Sequence, residues 1–143
     1  MQVLHIHARD ENNKPTMRLD KFRETVRLVK ERDPDVVIQI STGGRAPLAG
    51  VSPYTWRMDP LNLLPEMASY TPGSVNLGPI VYQNDAKLTR ELAEKFRDLD
   101  IKPQVELNVP TELHVYIVYM YTHVCTCAHA RVLHVYRYTR IET

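Results

Sequence analysis

Apolar and polar residues follow strand-like and helix-like patterns in turn along the first 109 residues. Residues 2–8 (QVLHIHA) predict a first strand. Residues 18–33 have the spacing of an amphipathic helix, with one apolar face formed by Leu19, Phe22, Val26 and Val29. Pro34 ends this helix, because the residue before a proline disfavours the helical conformation.

The middle of the chain predicts a buried strand and a long connection. Residues 35–41 (DVVIQIS) are continuously apolar, which is typical of a strand in a parallel sheet covered on both faces. Residues 42–60 are rich in Gly and Pro and predict a long loop. A short helix is expected at 61–67, and a short strand with turn residues at 68–78.

A second amphipathic helix is predicted at residues 84–100, with Asn84 or Asp85 as its N-cap. Its apolar face contains Leu88, Leu92, Phe96 and Leu99. Residues 102–109 predict a further strand. Strands that alternate with helices indicate a parallel α/β fold, either an open doubly wound sheet or a barrel.

Composition narrows the class of protein. The 143 residues are 43% hydrophobic and 24% charged with a net charge of +1, which predicts one soluble domain with neither nucleic acid nor an anionic membrane as a partner. No apolar run approaches the roughly 20 residues of a membrane span, and no signal peptide is recognisable. Cys125 and Cys127 are the only cysteines, so a reducing compartment, the cytoplasm, is expected.

The composition changes at Pro110, which predicts a division into residues 1–109 and a low-complexity tail at 110–143. The segment 118–132 alternates residues with purine-pyrimidine-purine codons and residues with the complementary codon type. Translation of a simple TG/CA repeat gives such a pattern, so read-through into a repeat is the favoured interpretation. A genuine strand or hairpin rich in β-branched and aromatic residues is the alternative.

The tail contains a tempting metal motif, THVCTCAHA, with four ligand-type side chains at His123, Cys125, Cys127 and His129. Its Cys-x-Cys spacing is shorter than the two to four intervening residues usual in structural zinc sites. A repeat also yields Cys and His without selection for binding. A small Cys/His metal-binding module is therefore an alternative function rather than the preferred one.

A second histidine pair lies in the first predicted strand. Residues two apart on a strand point to the same face, so His5 and His7 project together. They would end near the carboxyl edge of a parallel sheet, where active sites form. Two such imidazoles offer two positions of a zinc shell. The alternative is a pair of polar strand-end residues bonded to neighbouring loops.

The ordered motifs LHIHARDENNKPT, VVIQISTGG, PEMASYTPGSVNLG and IKPQVEL resemble the β-keto acid cleavage enzymes, including 3-keto-5-aminohexanoate cleavage enzyme, over residues 2–109. The resemblance implies a (β/α)₈ barrel, of which this chain would supply about strands 2 to 5. It also implies a divalent metal, usually Zn²⁺, and a homo-oligomer for the full-length family. The implied reaction converts a β-keto acid and acetyl-CoA into acetoacetate and a new acyl-CoA.

The resemblance also implies roles for individual residues. His5 and His7 match metal ligands, and the implied substrate-binding residues are Ser41, Thr42, Gly43, Ser74 and Glu106. Each has a plainer interpretation as a strand end, turn or exposed strand residue. Arg9 and Asp10 are expected to brace the loop after the first strand.

The family barrel needs roughly 250 residues. The third metal ligand (a glutamate), the general base (an aspartate) and a substrate arginine have no counterpart in the resembling segment. No catalytic residue is therefore assigned, and the polypeptide is expected to be inactive by itself. A non-catalytic fragment is thus a further alternative.

Overall fold

The computed structural model describes residues 2–44, 49–77, 79–107 and 133–135. In chain order the elements are β1 (Val3–Ile6), β2 (Ala8–Arg9), β3 (Pro15–Thr16), α1 (Leu19–Arg32), β4 (Val37–Ile40), α2 (Pro53–Met58), a 3₁₀ helix (Asp59–Leu63), β5 (Met67–Tyr70), β6 (Val75–Leu77), β7 (Ile80–Tyr82), α3 (Ala86–Asp98), β8 (Lys102–Leu107) and β9 (Leu133–Val135).

Five strands form one sheet in the order β1-β4-β5-β8-β9. The pairs β1–β4, β4–β5 and β8–β9 are parallel. Helices α1 and α3 lie between successive strands of this sheet in the sequence, so the predicted α/β class is confirmed. Two antiparallel hairpins, β2–β3 and β6–β7, stand outside the sheet.

The described residues fall into two compact units. The first contains those within residues 1–69 and 99–103, and the second those within residues 70–98 and 104–143. In the first unit, Phe22 of α1 is fully buried, and Val26 and Val29 pack against the same core. The remaining buried members of that core are Ile6, Ala8, Met17, Val36, Ile38, Ile40 and Trp56. The apolar face predicted for the first helix is thus confirmed at three of its four residues.

In the second unit, α3 buries three residues of its predicted apolar face, Leu88, Leu92 and Phe96, while the fourth, Leu99, lies beyond the end of the helix at Asp98. The Phe96 ring meets the Tyr70 ring edge-on, with centroids 5.7 Å apart. The backbone N–H of Leu88 donates to Asp85 Oδ1 at 2.8 Å. Of the two N-cap candidates, Asp85 therefore caps the helix.

Several predicted boundaries are wrong. The first strand ends at Ile6 instead of Ala8, because Ala8–Arg9 turns away to pair with Pro15–Thr16. The loop predicted at 42–60 contains α2, which begins at Pro53, a residue whose fixed φ suits the first helical turn. The short helix predicted at 61–67 is a 3₁₀ turn over Asp59–Leu63.

The segment 68–78 also differs from its prediction. Instead of one short strand, it contains the end of β5 and the first strand of the β6–β7 hairpin.

Of the tail predicted at 110–143, three residues are described. They form β9, which pairs with β8 at Val105↔Leu133 and Leu107↔Val135. His123, Cys125, Cys127 and His129 lie outside the described residues. The domain division at 109 and the repeat origin of the tail stay predictions. Where helices are described, none is both long and apolar enough to cross a membrane.

Glu66 ties together the amino ends of neighbouring strands in the first unit. Its carboxylate accepts hydrogen bonds from Lys30 Nζ (2.6 Å) and the Ile38 N–H (2.9 Å), and its carbonyl accepts one from the Lys102 N–H. Burial raises the pKa of Glu66, but the hydrogen bonds from Lys30 and the backbone outweigh burial, so the pKa lies below its usual value. Glu66 therefore stabilises the fold most when its carboxylate is ionised.

Candidate functional site

His5 and His7 stand side by side where β1 ends. Their Nε2 atoms are 3.1 Å apart, and the rings meet edge-on with centroids 4.8 Å apart. Both side chains are exposed. The expected convergence of the two rings is confirmed, although the regular strand stops one residue before His7.

This geometry fits two positions of a zinc shell. Two nitrogens bound at 2.0–2.1 Å in a tetrahedron lie about 3.4 Å apart, so small ring rotations would accommodate one ion. A closed structural site needs four ligands, and a catalytic site usually has three from the protein. Within the described ranges, no group of three or more His, Cys, Asp or Glu side chains is placed to hold a metal. By themselves, the two histidines would supply at most two ligands of such a set.

The register of the sheet builds a polar surface around this pair. His5 pairs with Gln39 of β4, and the Ser41 N–H donates to the Ile6 carbonyl at 3.1 Å. Side chains at paired positions of neighbouring strands point to the same side. His5, His7, Gln39 and Ser41 thus share one side of the sheet, named here the histidine face. Ile38 and Ile40 point to the opposite side, into the core with α1.

Ser41 is buried on this face and begins the loop after β4. Its hydroxyl oxygen accepts a hydrogen bond from the Gly43 N–H at 3.2 Å. A hydroxyl that accepts one bond still has its own proton to donate. The Ser41 hydroxyl can therefore still donate to a substrate, as predicted, while its bond to Gly43 fixes the start of the loop.

The Thr42 side chain serves the fold directly. Its hydroxyl donates to the Ser69 carbonyl at 2.8 Å, while its N–H donates to Ser69 Oγ at 2.9 Å. These bonds join the loop after β4 to the end of β5. The substrate role predicted for Thr42 stays a prediction, but its hydroxyl proton is already committed within the protein.

Two buried side chains, Arg57 and Met17, lie close to the same loop. Arg57 of α2 is only 4% exposed, and its Nε donates to the Thr42 carbonyl at 2.7 Å. A Cβ added at Gly44 would lie 2.5 Å from Met17 Cγ and 3.0 Å from Arg57 Cγ. Only glycine therefore fits this approach, which explains the second glycine of the STGG motif.

The hairpin after the histidines is braced as predicted. Asp10 Oδ1 accepts hydrogen bonds from the N–H groups of Asn12 and Lys14, both at 2.9 Å. Arg9 donates to the Asn13 carbonyl at 2.6 Å. Arg9 and Asp10 each bond the loop separately, which holds the chain just beyond His7.

The other two predicted substrate residues belong to the second unit. Ser74 is exposed, and its Oγ accepts a hydrogen bond from the Asn84 N–H at 2.9 Å. The buried Thr71 donates to Glu106 Oε2 at 3.0 Å. Thr71 thereby orients the Glu106 carboxylate, a function that the sequence reading did not assign.

Gln39 is the residue of the histidine face that the sequence reading missed. It is only 4% exposed, and its Nε2 has no hydrogen-bond acceptor among the described residues. Leaving a buried donor without a partner costs about 1–3 kcal/mol. The available signal was a polar residue two positions before Ser41, and therefore on its face, in an otherwise apolar strand.

Comparisons with known sequences agree with the motifs. A sequence model of the β-keto acid cleavage enzymes matches residues 1–136, which include much of the predicted tail. A 3-keto-5-aminohexanoate cleavage enzyme of Fusobacterium nucleatum is 29% identical over 106 residues, covering 73% of this chain and 38% of the relative. A 3-oxoadipate:acetyl-CoA acetyltransferase of Cupriavidus necator is 35% identical over 104 residues, covering 73% and 35%. The chain thus spans somewhat more than a third of these relatives.

Solved structures support the fold. ObcA in a ternary complex with a C4-CoA adduct and oxalate matches with a TM-score of 0.74 at 21% identity, covering 92% of this chain and 32% of that chain. ObcA with oxaloacetate matches with a TM-score of 0.69 at 21% identity, covering 85% and 30%. The prediction that this chain folds as part of a (β/α)₈ barrel is confirmed.

Proposed function

The chain belongs to the β-keto acid cleavage enzyme family, and we propose that it carries the metal-binding and keto-acid-binding part of such an enzyme, which converts a β-keto acid and acetyl-CoA into acetoacetate and a new acyl-CoA. The observation that carries this proposal is the convergence of His5 and His7 Nε2 at 3.1 Å, beside Ser41 on the same face. The names of two relatives, a 3-keto-5-aminohexanoate cleavage enzyme and a 3-oxoadipate:acetyl-CoA acetyltransferase, support the substrate class.

His5 and His7 would hold the divalent metal, with Zn²⁺ favoured because imidazole nitrogens are among its preferred ligands. When bound, such an ion acts as a Lewis acid that polarises the oxygens of the acid. The Ser41 hydroxyl orients the acid by donating its proton to an oxygen. The Gly43 N–H is already bonded to Ser41 Oγ, so of this loop the Gly44 N–H is the group proposed to favour a carboxylate.

Ser74 and Glu106 are assigned to substrate binding in the second unit. The hydrogen bond from Thr71 occupies Glu106 Oε2 and leaves Oε1 as an acceptor for a donor group of the substrate. The Ser74 hydroxyl accepts from the Asn84 N–H and retains its own proton. These two side chains therefore suit the polar end of a keto acid.

The 143-residue polypeptide by itself is proposed to have no turnover. Two histidines do not complete a catalytic metal site, and the described residues contain no cluster with a third ligand. No side chain of the described part is assigned as the general base. The proposal therefore separates ligand binding, which this chain carries, from the complete reaction.

Zinc titration of the purified chain by calorimetry tests the proposal. We expect one weak site per chain that is lost in the double variant His5→Ala/His7→Ala and retained in Cys125→Ser/Cys127→Ser. The opposite result would identify the Cys/His segment as the metal-binding module and contradict the proposed site. Acetoacetate production from a longer β-keto acid and acetyl-CoA should stay at background with the wild-type chain, and turnover that depends on His5 would show that the chain is a complete enzyme.

A further inference from the structure

The side chain of Gln39 occupies a central position on the histidine face. In the sheet register it pairs with His5 on β1 and with Met67 on β5. It lies two residues before Ser41 on the same strand, so the two side chains share one side of β4. A primary amide therefore stands between the metal-binding pair and the next strand, in the layer beneath Ser41.

The amide is an unusual choice for this position. The side chain is more than nine-tenths buried, yet its Nε2 finds no acceptor within the described ranges. The great majority of buried polar side chains in native proteins have a hydrogen-bond partner. Methionine would fill the same length without an unsatisfied donor. The orphan donor thus points to an acceptor that does not come from the described part of the protein.

We propose that the Gln39 amide is a further ligand-binding group of this face, and that it donates a hydrogen bond to a carboxylate or keto oxygen of the bound β-keto acid. The proposal rests on the proposed function, since it takes the acid to bind beside His5 and His7. An amide N–H needs an oxygen acceptor, and it carries no positive charge that would repel a metal ion. Three side-chain torsions let the amide turn toward the carboxyl end of β4, where Ser41 contributes its hydroxyl.

Gln39→Met separates this role from a structural one. If the amide bonds only to ligand, the variant loses nothing in the free protein, and its urea-unfolding midpoint without ligand equals or exceeds that of the wild type. In the presence of Zn²⁺, the dissociation constant for acetoacetate should rise about 10-fold or more, as expected for one hydrogen bond to a charged group. The Zn²⁺ dissociation constant should change less than about twofold. Gln2→Met, at the exposed position just before β1, is the matched control and should leave the acetoacetate constant unchanged.

The outcomes are distinct. A lower urea midpoint for ligand-free Gln39→Met would show that the amide has an acceptor within the protein, and an unchanged acetoacetate constant would show that the ligand does not use it. Either result overturns the inference. His5→Ala distinguishes the two proposals, since loss of Zn²⁺ and acetoacetate binding in that variant supports the proposed function whatever Gln39→Met does. A wild-type chain that binds no acetoacetate with Zn²⁺ present overturns both.

Discussion

The two ends of the parallel strands in the first unit are built on different principles. At the amino ends, Glu66 satisfies Lys30 and the Ile38 N–H, so the polar groups described there have partners inside the protein. At the carboxyl ends, two imidazoles are exposed beside one another, and the buried amide N–H of Gln39 has no acceptor among the residues that the structure describes. The polar groups at the amino ends therefore serve stability, whereas those at the carboxyl ends are placed to contact a ligand.

This division agrees with the general behaviour of (β/α)₈ barrels. Catalytic and binding residues come from the carboxyl ends of the strands, whereas the opposite face mainly supports stability. Some residues at the carboxyl ends are nonetheless structural, since Thr42 and Arg57 hold the loop that carries Ser41. Substitutions at the two ends should therefore separate effects on binding from effects on stability.

The largest expected effect is on metal affinity. His7→Ala removes one of the two proposed ligands and should weaken Zn²⁺ binding by more than about 100-fold, because the loss of even an outer-shell partner costs about 10–100-fold. His7 is exposed, so its replacement should change the free energy of unfolding by less than about 0.5 kcal/mol. Calorimetric titration and urea unfolding measure the two quantities.

Asn12→Ala is a suitable control for this variant, since it changes an exposed residue of the adjacent hairpin and should leave the zinc affinity unaltered. Equal zinc binding in wild type and His7→Ala would exclude the pair as a metal site. A large loss of stability in His7→Ala would mean that the two ends of the strands are not specialised as described.

The next effect concerns the tight approach at Gly44. Gly44→Ala places a methyl group 2.5 Å from Met17 Cγ, and Met17 is itself buried in the core. Overpacking of this kind should destabilise the chain by about 1–3 kcal/mol, measured by the urea midpoint.

Gly50→Ala is the control for Gly44→Ala, since it tests a glycine substitution without a side-chain clash. A Cβ there meets nothing within 4 Å, but Gly50 has φ +79, so only backbone strain opposes the substitution. The double variant Gly44→Ala/Met17→Ala should be more stable than Met17→Ala alone, because the added methyl group then occupies part of the space that the Met17 side chain leaves. A Gly44→Ala chain as stable as the wild type would contradict the close packing of this loop.

The sequence predicted those features that depend on periodicity or on short motifs. The 3.6-residue spacing located α1 and α3 and their buried faces, and the two-residue spacing placed His5 and His7 on one side. The motif resemblance gave the barrel and the family. These features are local in the chain, so one segment contains the whole signal.

The missed features depend on contacts between distant segments. Helix α2 was not predicted, although its Trp56 is buried in the core. The helix is only six residues long and lies within a segment rich in Gly and Pro. The bond between Thr42 and Ser69 joins residues 27 positions apart, and Thr71 reaches Glu106 across 35 positions. Such partners are fixed by the register of the sheet, which a single sequence does not specify.

A moderate effect is expected for the hydrogen bond that joins the loop after β4 to the end of β5. Thr42→Val removes the hydroxyl that donates to the buried Ser69 carbonyl, and should lower the free energy of unfolding by about 1–2 kcal/mol. Thr42→Ser retains the hydroxyl and should recover most of the stability. If Thr42→Val instead weakens acetoacetate binding without any loss of stability, the residue belongs to the substrate site and its structural assignment is wrong.

The smallest expected effect tests the stabilising end of the sheet through its pH dependence. The pKa of Glu66 is lowered in the folded chain, so its ionised form stabilises the fold above the ordinary value of 4.5, and this contribution is lost as the pH falls through the folded value. Glu66→Gln keeps an acceptor for the Ile38 N–H but removes the charge that faces Lys30. Because the Glu66 side chain is 46% exposed, the variant should lose only about 0.5–1 kcal/mol at pH 7. The difference between wild type and variant in urea midpoint should shrink as the pH falls below 4.5 and disappear once the carboxyl is protonated in the folded chain. Glu24→Gln, which removes an exposed carboxylate paired with Arg27 on α1, is the control and should shift the midpoint less at pH 7. A difference for Glu66→Gln that does not shrink as the pH is lowered below 4.5 would mean that the shape of the side chain, and not its charge, holds the amino ends of the strands together.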